Sequence, residues 1–158
     1  MYRGEMLNMM LVLATKNFDG VFDKGGVPYV MHCLKVMHYL GDSADEELQC
    51  IALGHDLVED TDVTYHLLGS MGFTDRIIHG IRAMTKSPGF TNDEYLDQIK
   101  SNPDAVKVKI ADLRHNSDIR RLKGVSEKDI KRITKYHHMY MELKDFAASP
   151  MNMQKVLI

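Results

Sequence analysis

The chain has 158 residues, of which 27% are charged, and a formal net charge of −2 at pH 7. That length supports one domain with a real hydrophobic core, and the near-zero charge provides no global basic field for nucleic acid or an anionic membrane. No run approaches about 18 apolar residues, and the patch from Met9 to Ala14 is too short and wrongly flanked for a signal peptide, so no membrane span is expected. Cys33 and Cys50 are the two cysteines; they lie on apolar helical patterns without a CxxC spacing and read as free thiols of a reducing compartment, so a cytoplasmic protein is expected.

Residues Glu5 to Phe18 carry Met6, Met9, Met10, Leu13 and Asn17 along one stripe and predict a first helix. Asp19 to Val27 is a glycine-rich loop that holds Asp23 and Lys24. Pro28 suits a first helical turn, where its missing N–H is not needed, and Tyr29 to Leu40 follows as a second helix, stopped by Gly41. Ser43-Ala44-Asp45-Glu46 reads as a capping box for a third helix that runs into His55. Thr61 to Thr64 breaks the pattern, and a short helix covers Tyr65 to Met71, ended by Gly72. Thr74 opens another, reaching Lys86, and Ser87-Pro88-Gly89 is a turn. Thr91 to Glu94 is a second capping box, for a helix to Lys100. After Asn102-Pro103, one long helix is predicted from Asp104 to Leu122, ended by Gly124. Val106 to Ile110 alternates like a strand, but Ala111, Leu113, Ile119 and Leu122 continue it at helical spacing. Ser126 opens a last helix through about Phe146, and residues 151–158 form a loosely held tail after Pro150. The fold class is therefore all-α: a single-domain helical bundle of about seven to nine helices over residues 1–150.

One stretch concentrates chemistry. Leu53-Gly54-His55-Asp56-Leu57-Val58-Glu59-Asp60 packs one histidine and three carboxylates into six positions. At helical spacing, His55, Asp56, Glu59 and Asp60 fall at roughly 0°, 100°, 40° and 140° and share one side of a helix, or of a helix end. Groups so close repel unless something positive lies between them, and a divalent cation is the simplest candidate. His32 lies early in the second helix; Asp112 and Asn116, four apart, project from one face of the long helix, with Lys109 and His115 a turn to either side of Asp112. Taken singly each has an ordinary reading: a hydrogen-bonded histidine, a solvated helix charge, a helix-terminal pair. The ordered set, His, then His-Asp, then Asp, on three helices of an all-α chain, is far more specific. The Arg114, Arg120, Arg121, Lys123 cluster reads as a solvated helix face or a phosphate rim, and the twelve methionines read as core filler.

This pattern resembles the HD-domain metal-dependent phosphohydrolases, and within them the hydrolase domain of the RelA/SpoT alarmone enzymes and their small stand-alone relatives. The resemblance is carried by Gly26-Val27-Pro28-Tyr29-Val30-Met31-His32, His55-Asp56-Leu57-Val58-Glu59-Asp60-Thr61, Met84-Thr85-Lys86, and Lys109-Ile110-Ala111-Asp112-Leu113-Arg114-His115-Asn116, in order and spacing, over roughly residues 14–143. It implies an HD-type bundle with His32, His55, Asp56 and Asp112 as metal ligands. Glu59 and Asp60 would position or deprotonate the attacking water, or protonate the leaving oxygen. The bland alternative for these two is a cap on the Thr61–Thr64 turn. Two imidazoles and two carboxylates suit one Mn²⁺, with Fe²⁺, Zn²⁺ or Mg²⁺ as other occupants, and a cation there activates water and polarises a phosphoryl group. Lys24, Lys86 and Lys109 are candidates for holding phosphates by charge, with Asn116 bonding sugar or phosphate; each lysine also reads as a surface charge.

Two departures touch the base-reading positions. Where the family carries Arg-Lys-Ser-Gly before Pro-Tyr, this chain has Asp23-Lys24-Gly25-Gly26, and where the family has Thr after Asn-Met-Arg, this chain has Ile119. The expected activity is removal of the 3′-pyrophosphate of ppGpp or pppGpp, giving GDP or GTP and pyrophosphate. The alternatives are an HD phosphohydrolase acting on another nucleotide, or a non-catalytic nucleotide sensor. The expected partner is a small-molecule nucleotide, with neither nucleic acid nor membrane, and with oligomer formation left open. No synthetase or regulatory segment is expected.

Overall fold

A computed structural model describes residues 4–149 and 151–152. Nine α-helices and one 3₁₀ turn make up the described residues, joined by short loops: α1 (Glu5–Asn17), α2 (Val30–Tyr39), α3 (Glu46–Gly54), α4 (Leu57–Asp60), α5 (Tyr65–Ser70), α6 (Asp75–Met84), α7 (Asn92–Lys100), α8 (Pro103–Asn116), the 3₁₀ turn Ile119–Arg121, and α9 (Glu127–Ala148). The described residues contain no β-strand; an isolated bridge between Phe22 and Pro28 closes the glycine-rich loop. The all-α expectation holds. The expected tail lies outside the described residues from position 153 onward.

The bundle is organised around α3. Leu48, Cys50, Ile51, Ala52, Leu53 and Gly54 are all buried, and α1, α2, α6 and α8 pack around this helix. Each fully buried Leu or Ile contributes roughly 1.5–3 kcal/mol of hydrophobic stabilisation, so a helix apolar on every side holds the molecule together through its neighbours. Its one charged end is used as well. Glu46 accepts from the backbone N–H groups of Gly4 and Leu7 at 3.0 and 3.1 Å, capping α1 from outside. Arg76 of α6 bonds Asp45, Glu47 and Asp104, pinning the start of α3 to the start of α8.

Most caps follow the sequence, with particular exceptions. Thr91 and Glu94 form the expected capping box, and Ser126 and Asp129 form another. The α3 cap is Asp45, whose side chain accepts from Leu48 N–H at 2.9 Å, not Ser43. The third helix does not run through His55. It ends at Gly54, and Asp56 starts α4 at φ −100°, ψ −5°. His55 and Asp56 keep right-handed helical dihedrals across this break, so His55, Asp56, Glu59 and Asp60 lie about a helix end rather than along one continuous helix. The long helix expected to Leu122 ends at Asn116. There Asp118 accepts from Arg120 N–H at 3.1 Å and starts the 3₁₀ turn instead, a local side-chain bond that competes with helix continuation.

Two glycines let the central helices approach closely. A Cβ on Gly54 would lie 2.9 Å from Ile81 Cδ1 and from Met10 Sδ, and one on Gly80 would collide with the side chain of Ile51. Ile51 is fully buried and has no room to yield. Replacing Gly80 by Val is thus expected to lower stability by roughly 1–3 kcal/mol through overpacking, read as a lower urea midpoint at unchanged slope; an unchanged midpoint would show that α3 and α6 can separate freely.

Candidate metal centre and adjoining cavities

Three elements deliver the groups expected to meet. α2 presents His32, the α3–α4 bend presents His55 and Asp56, and α8 presents Asp112. His32, His55 and Asp112 are buried, each 3% exposed or less. His32 Nε2 lies 3.2 Å from Asp112 Oδ1 and 3.7 Å from Asp56 Oδ2. His55 Nε2 lies 2.9 Å from Asp56 Oδ2 and 3.6 Å from Asp112 Oδ1. Ligand atoms of His32, His55 and Asp56 fall within 4.8 Å of one another among the described residues, and Asp112 Oδ1 faces both imidazoles.

The surroundings orient these groups. The bend at His55 lets its Nδ1 reach the Ala52 carbonyl at 2.7 Å. A carbonyl only accepts, so the proton sits on Nδ1 and Nε2 is left facing the carboxylates. His32 Nδ1 contacts His115 Nδ1 at 2.7 Å. Burial, then the Arg121 charge, pushes His115 down to about 4, so it is neutral at pH 7 and able to accept from His32, freeing His32 Nε2 in the same way. Asp56 sits where an N-cap would be, but its carboxylate makes no bond to the α4 amides; Oδ2 accepts from the Tyr29 hydroxyl at 2.6 Å instead. Asp112 accepts from Lys109 Nζ at 2.9 Å and from Asn116 Nδ2 at 2.6 Å.

The electrostatics are compatible with a bound cation. Burial opposes charge on Asp112, but Lys109 and the two histidines hold its carboxyl well below the usual carboxylate range. Burial likewise opposes charge on His55, yet the Asp56 and Asp112 carboxylates raise it well above the usual imidazole value. His32 Nε2 and His55 Nε2 are nonetheless buried without a hydrogen bond in proper geometry, which is costly for an imidazole nitrogen. Two free imidazole nitrogens and two carboxylate oxygens facing one small space form a borderline-hard donor set that fits a divalent metal ion. Without metal, Lys109 and the histidines offset the charge of the two aspartates; a divalent cation held there would add positive charge beneath the cleft.

The centre lies at the floor of a cleft of about 300 Å³, lined among others by Asp56, Glu59, Asp60, Lys86, Lys109 and Lys135. Glu59 and Asp60 stand beside the donor set without belonging to it. Burial, with the Asp56 charge adding to it, raises both above the usual carboxylate range. Glu59 Oε2 accepts from Lys86 N–H at 3.4 Å, and the Thr61–Thr64 turn is held by Thr61 and Thr64 themselves, so the capping alternative for Glu59 and Asp60 does not hold. Lys86 Nζ reaches Asn92, while Lys109 is already committed to Asp112. A second cavity of about 360 Å³ adjoins, lined by Phe22, Lys24, Arg121, Arg132, Ile133 and others, and Tyr29, Asn116 and Tyr136 border both cavities. Lys24 stands at its rim, 61% exposed and 3.7 Å from Asp129.

Several residues of these walls carried no assigned role in the sequence. Tyr29, three before His32, shares its helical face, and His115, three after Asp112, shares that of Asp112; both spacings were available as signals. Lys135 and Tyr136 reach the site from α9, about 80 residues from the bend, and nothing local announces them. Arg121 does not lie on a solvated helix face. It ion-pairs with Asp23 at 3.0 Å with its side chain 20% exposed, whereas Arg120 is 86% exposed.

Proton linkage gives a test of the donor set. His55 is raised in the folded state, so its stabilising contribution is complete below the ordinary imidazole value of 6.5 and is lost as pH rises through the higher folded value. The metal-free protein is expected to melt at progressively lower temperature as pH rises from 6.5 toward the higher folded value, and to level off above it. Saturating Mn²⁺ should remove the slope and release at least one proton per ion, seen by calorimetry in buffers of different ionisation enthalpy. In Asp112→Ala both effects should vanish; proton-free binding would exclude His55 from the ligand set.

No family model matches the chain. A GTP pyrophosphokinase of Myxococcus xanthus is 28% identical over 144 residues, which cover 82% of this chain and 19% of that protein. The chain thus spans about a fifth of the length of this relative. Among solved structures, a metazoan ortholog of SpoT, described as hydrolysing ppGpp and acting in starvation responses, superimposes with a TM-score of 0.77 at 20% identity, over 99% of this chain and 96% of that one. The chain therefore has the fold of that SpoT ortholog over nearly its whole length, and the resemblance read from its motifs is borne out in both sequence and fold.

Proposed function

We propose that this chain is a metal-dependent phosphohydrolase that removes the 3′-pyrophosphate of ppGpp or pppGpp, yielding GDP or GTP and pyrophosphate. The carrying observation is the pair of buried imidazole nitrogens of His32 and His55 facing Asp56 and Asp112 beneath a cleft that also holds Glu59 and Asp60. The activity named for the SpoT ortholog of the same fold supports this substrate. His32, His55, Asp56 and Asp112 hold one divalent cation, with Mn²⁺ the occupant that best matches two nitrogens and two oxygens. When bound, the ion supplies Lewis-acid polarisation of the phosphoryl group and a nucleophile at neutral pH.

The chain's own residues do the rest. Glu59 and Asp60, with carboxyls raised by burial, are the proton-transfer groups: one takes a proton from the attacking water and the other returns one to the leaving oxygen. Lys86, with Lys109 behind Asp112, puts positive charge in the cleft wall for the pyrophosphate. Asn116, at the junction of the two cavities, bonds the sugar or phosphate, and the nucleoside extends into the second cavity past Lys24. The free buried thiols Cys33 and Cys50 fit a reducing, cytoplasmic setting. No helix among the described residues is long and apolar enough to cross a membrane. The catalytic unit occupies residues 1–150 as one domain. A second reading, hydrolysis of a different phosphorylated nucleotide on the same centre, is favoured by one observation: the base-side cavity is walled by an Asp23–Arg121 ion pair that departs from the family's loop pattern.

A panel of ppGpp, other phosphorylated nucleotides and a generic phosphate ester, offered with Mn²⁺ and with chelator, separates these readings. Pyrophosphate from ppGpp confined to the metal-loaded protein is expected. Phosphate from monophosphates would favour the second reading, and tight binding without turnover would leave a sensor. Glu59→Gln should retain metal while losing about 10²–10⁴ in rate; loss of metal with the rate would overturn the division between ligands and proton-transfer groups. In the wild type, the acid limb of the rate profile should lie above the ordinary glutamate value of 4.5, in the direction that burial moves Glu59.

A further inference from the structure

The glycine-rich loop and the turn after α8 are built for each other. Asp23 uses both carboxylate oxygens: Oδ1 accepts from Gly25 N–H at 2.8 Å and Val27 N–H at 2.9 Å, and Oδ2 faces Arg121 Nη2 at 3.0 Å. Burial works against the Asp23 charge, but the loop amides and the guanidinium hold the carboxyl below its usual range. A Cβ on Gly25 would collide with the Arg121 carbonyl oxygen, so only glycine lets the loop close this tightly on the turn. Arg121 Nη1 then reaches inward to the His115 carbonyl at 3.1 Å and to Asn116 Oδ1 at 3.0 Å.

These bonds decide which way the Asn116 amide points. Its oxygen is drawn to Arg121, and one Nδ2–H goes to Asp112 Oδ1 at 2.6 Å. An amide nitrogen carries two donors, so the second N–H remains for a ligand, on a residue that borders both cavities. Without Arg121 the amide oxygen would lack this partner. The amide would be free to turn and offer an acceptor instead.

We propose that Arg121, anchored by Asp23, is a specificity-determining residue of this site: it fixes Asn116 as a hydrogen-bond donor at the cavity junction and sets the wall against which the nucleoside end of the substrate rests. The inference rests on the phosphohydrolase reading for its ligand but not for its geometry. It makes the pocket select a ligand with an oxygen acceptor, sugar or phosphate, at the junction. The pyrophosphate end of the ligand, lying over the metal centre, does not depend on it.

The test uses products, which do not turn over. GDP and inorganic pyrophosphate are titrated separately into the Mn²⁺-loaded protein by calorimetry, for wild type, Arg121→Ala, Asp23→Asn and the double variant. Arg121→Ala should weaken GDP at least tenfold and leave pyrophosphate within twofold. Asp23→Asn should weaken GDP less, and the double variant should be no weaker than Arg121→Ala alone, because both remove one coupled device. Additive losses, equal weakening of both probes, or unchanged GDP affinity would overturn the inference. Should Arg121→Ala melt below the assay temperature, Arg121→Lys, which keeps the charge without the planar fork, and Asp23→Asn carry the same comparison. A readout independent of any nucleotide is the Asn116 side-chain amide proton pair by NMR: its resonances should shift in Arg121→Ala, and unchanged resonances overturn the inference. A wild-type protein that holds metal yet binds neither product would instead overturn the functional reading.

Discussion

Two imidazole nitrogens, buried and aimed at two carboxylates, are the constraint on which the rest of the molecule depends. Burying such groups without a partner costs free energy, and the surrounding structure spends several bonds to keep them so. The Ala52 carbonyl fixes His55, His115 fixes His32, Tyr29 fixes Asp56, and Lys109 with Asn116 fixes Asp112. The histidines are held from behind, so both Nε2 atoms face the aspartates, while Tyr29 and Asn116 bond the same oxygens, Asp56 Oδ2 and Asp112 Oδ1, that the imidazoles face. Such backing partners orient groups in the way that suits a metal site.

The break between α3 and α4 serves the same end. A helix continued through His55 would have sent Asp56 around the axis and lost the Nδ1 contact with the Ala52 carbonyl. By ending α3 at Gly54, where Met10 and Ile81 press close, the chain turns two adjacent residues toward one point. Glu59 and Asp60 on the short α4 then stand at the cleft wall with raised carboxyls, near the centre but outside its donor set. That break places carboxylates inside and outside the candidate donor set within six residues.

Much of this was legible from residue order. The 3.6-residue periodicity, the Thr91 and Ser126 capping boxes and the absence of β-branched alternating runs establish an all-α chain, because such signals are local. The gathering of His32, His55-Asp56 and Asp112 was legible too, since these residues keep their order and spacing within recognisable segments. Ser43 misled because Asp45 nearby offered a better-placed oxygen, and Leu122 misled because apolar spacing continued past a point where Asp118 could cap a different turn.

The sequence by itself determined which side chains are candidates for chemistry, since residue type, order and helical spacing depend on nothing beyond the chain's own neighbours. Tertiary structure alone decided their orientation and company: that Asp56 turns from its helix to Tyr29, that His115 backs His32, that α9 brings Lys135 and Tyr136 to the cleft, and that Asp23 and Arg121, 98 positions apart, meet across the second cavity. These are contacts between distant segments. They are set by how α3 gathers its neighbours in the core, and no local pattern encodes a distance between helices.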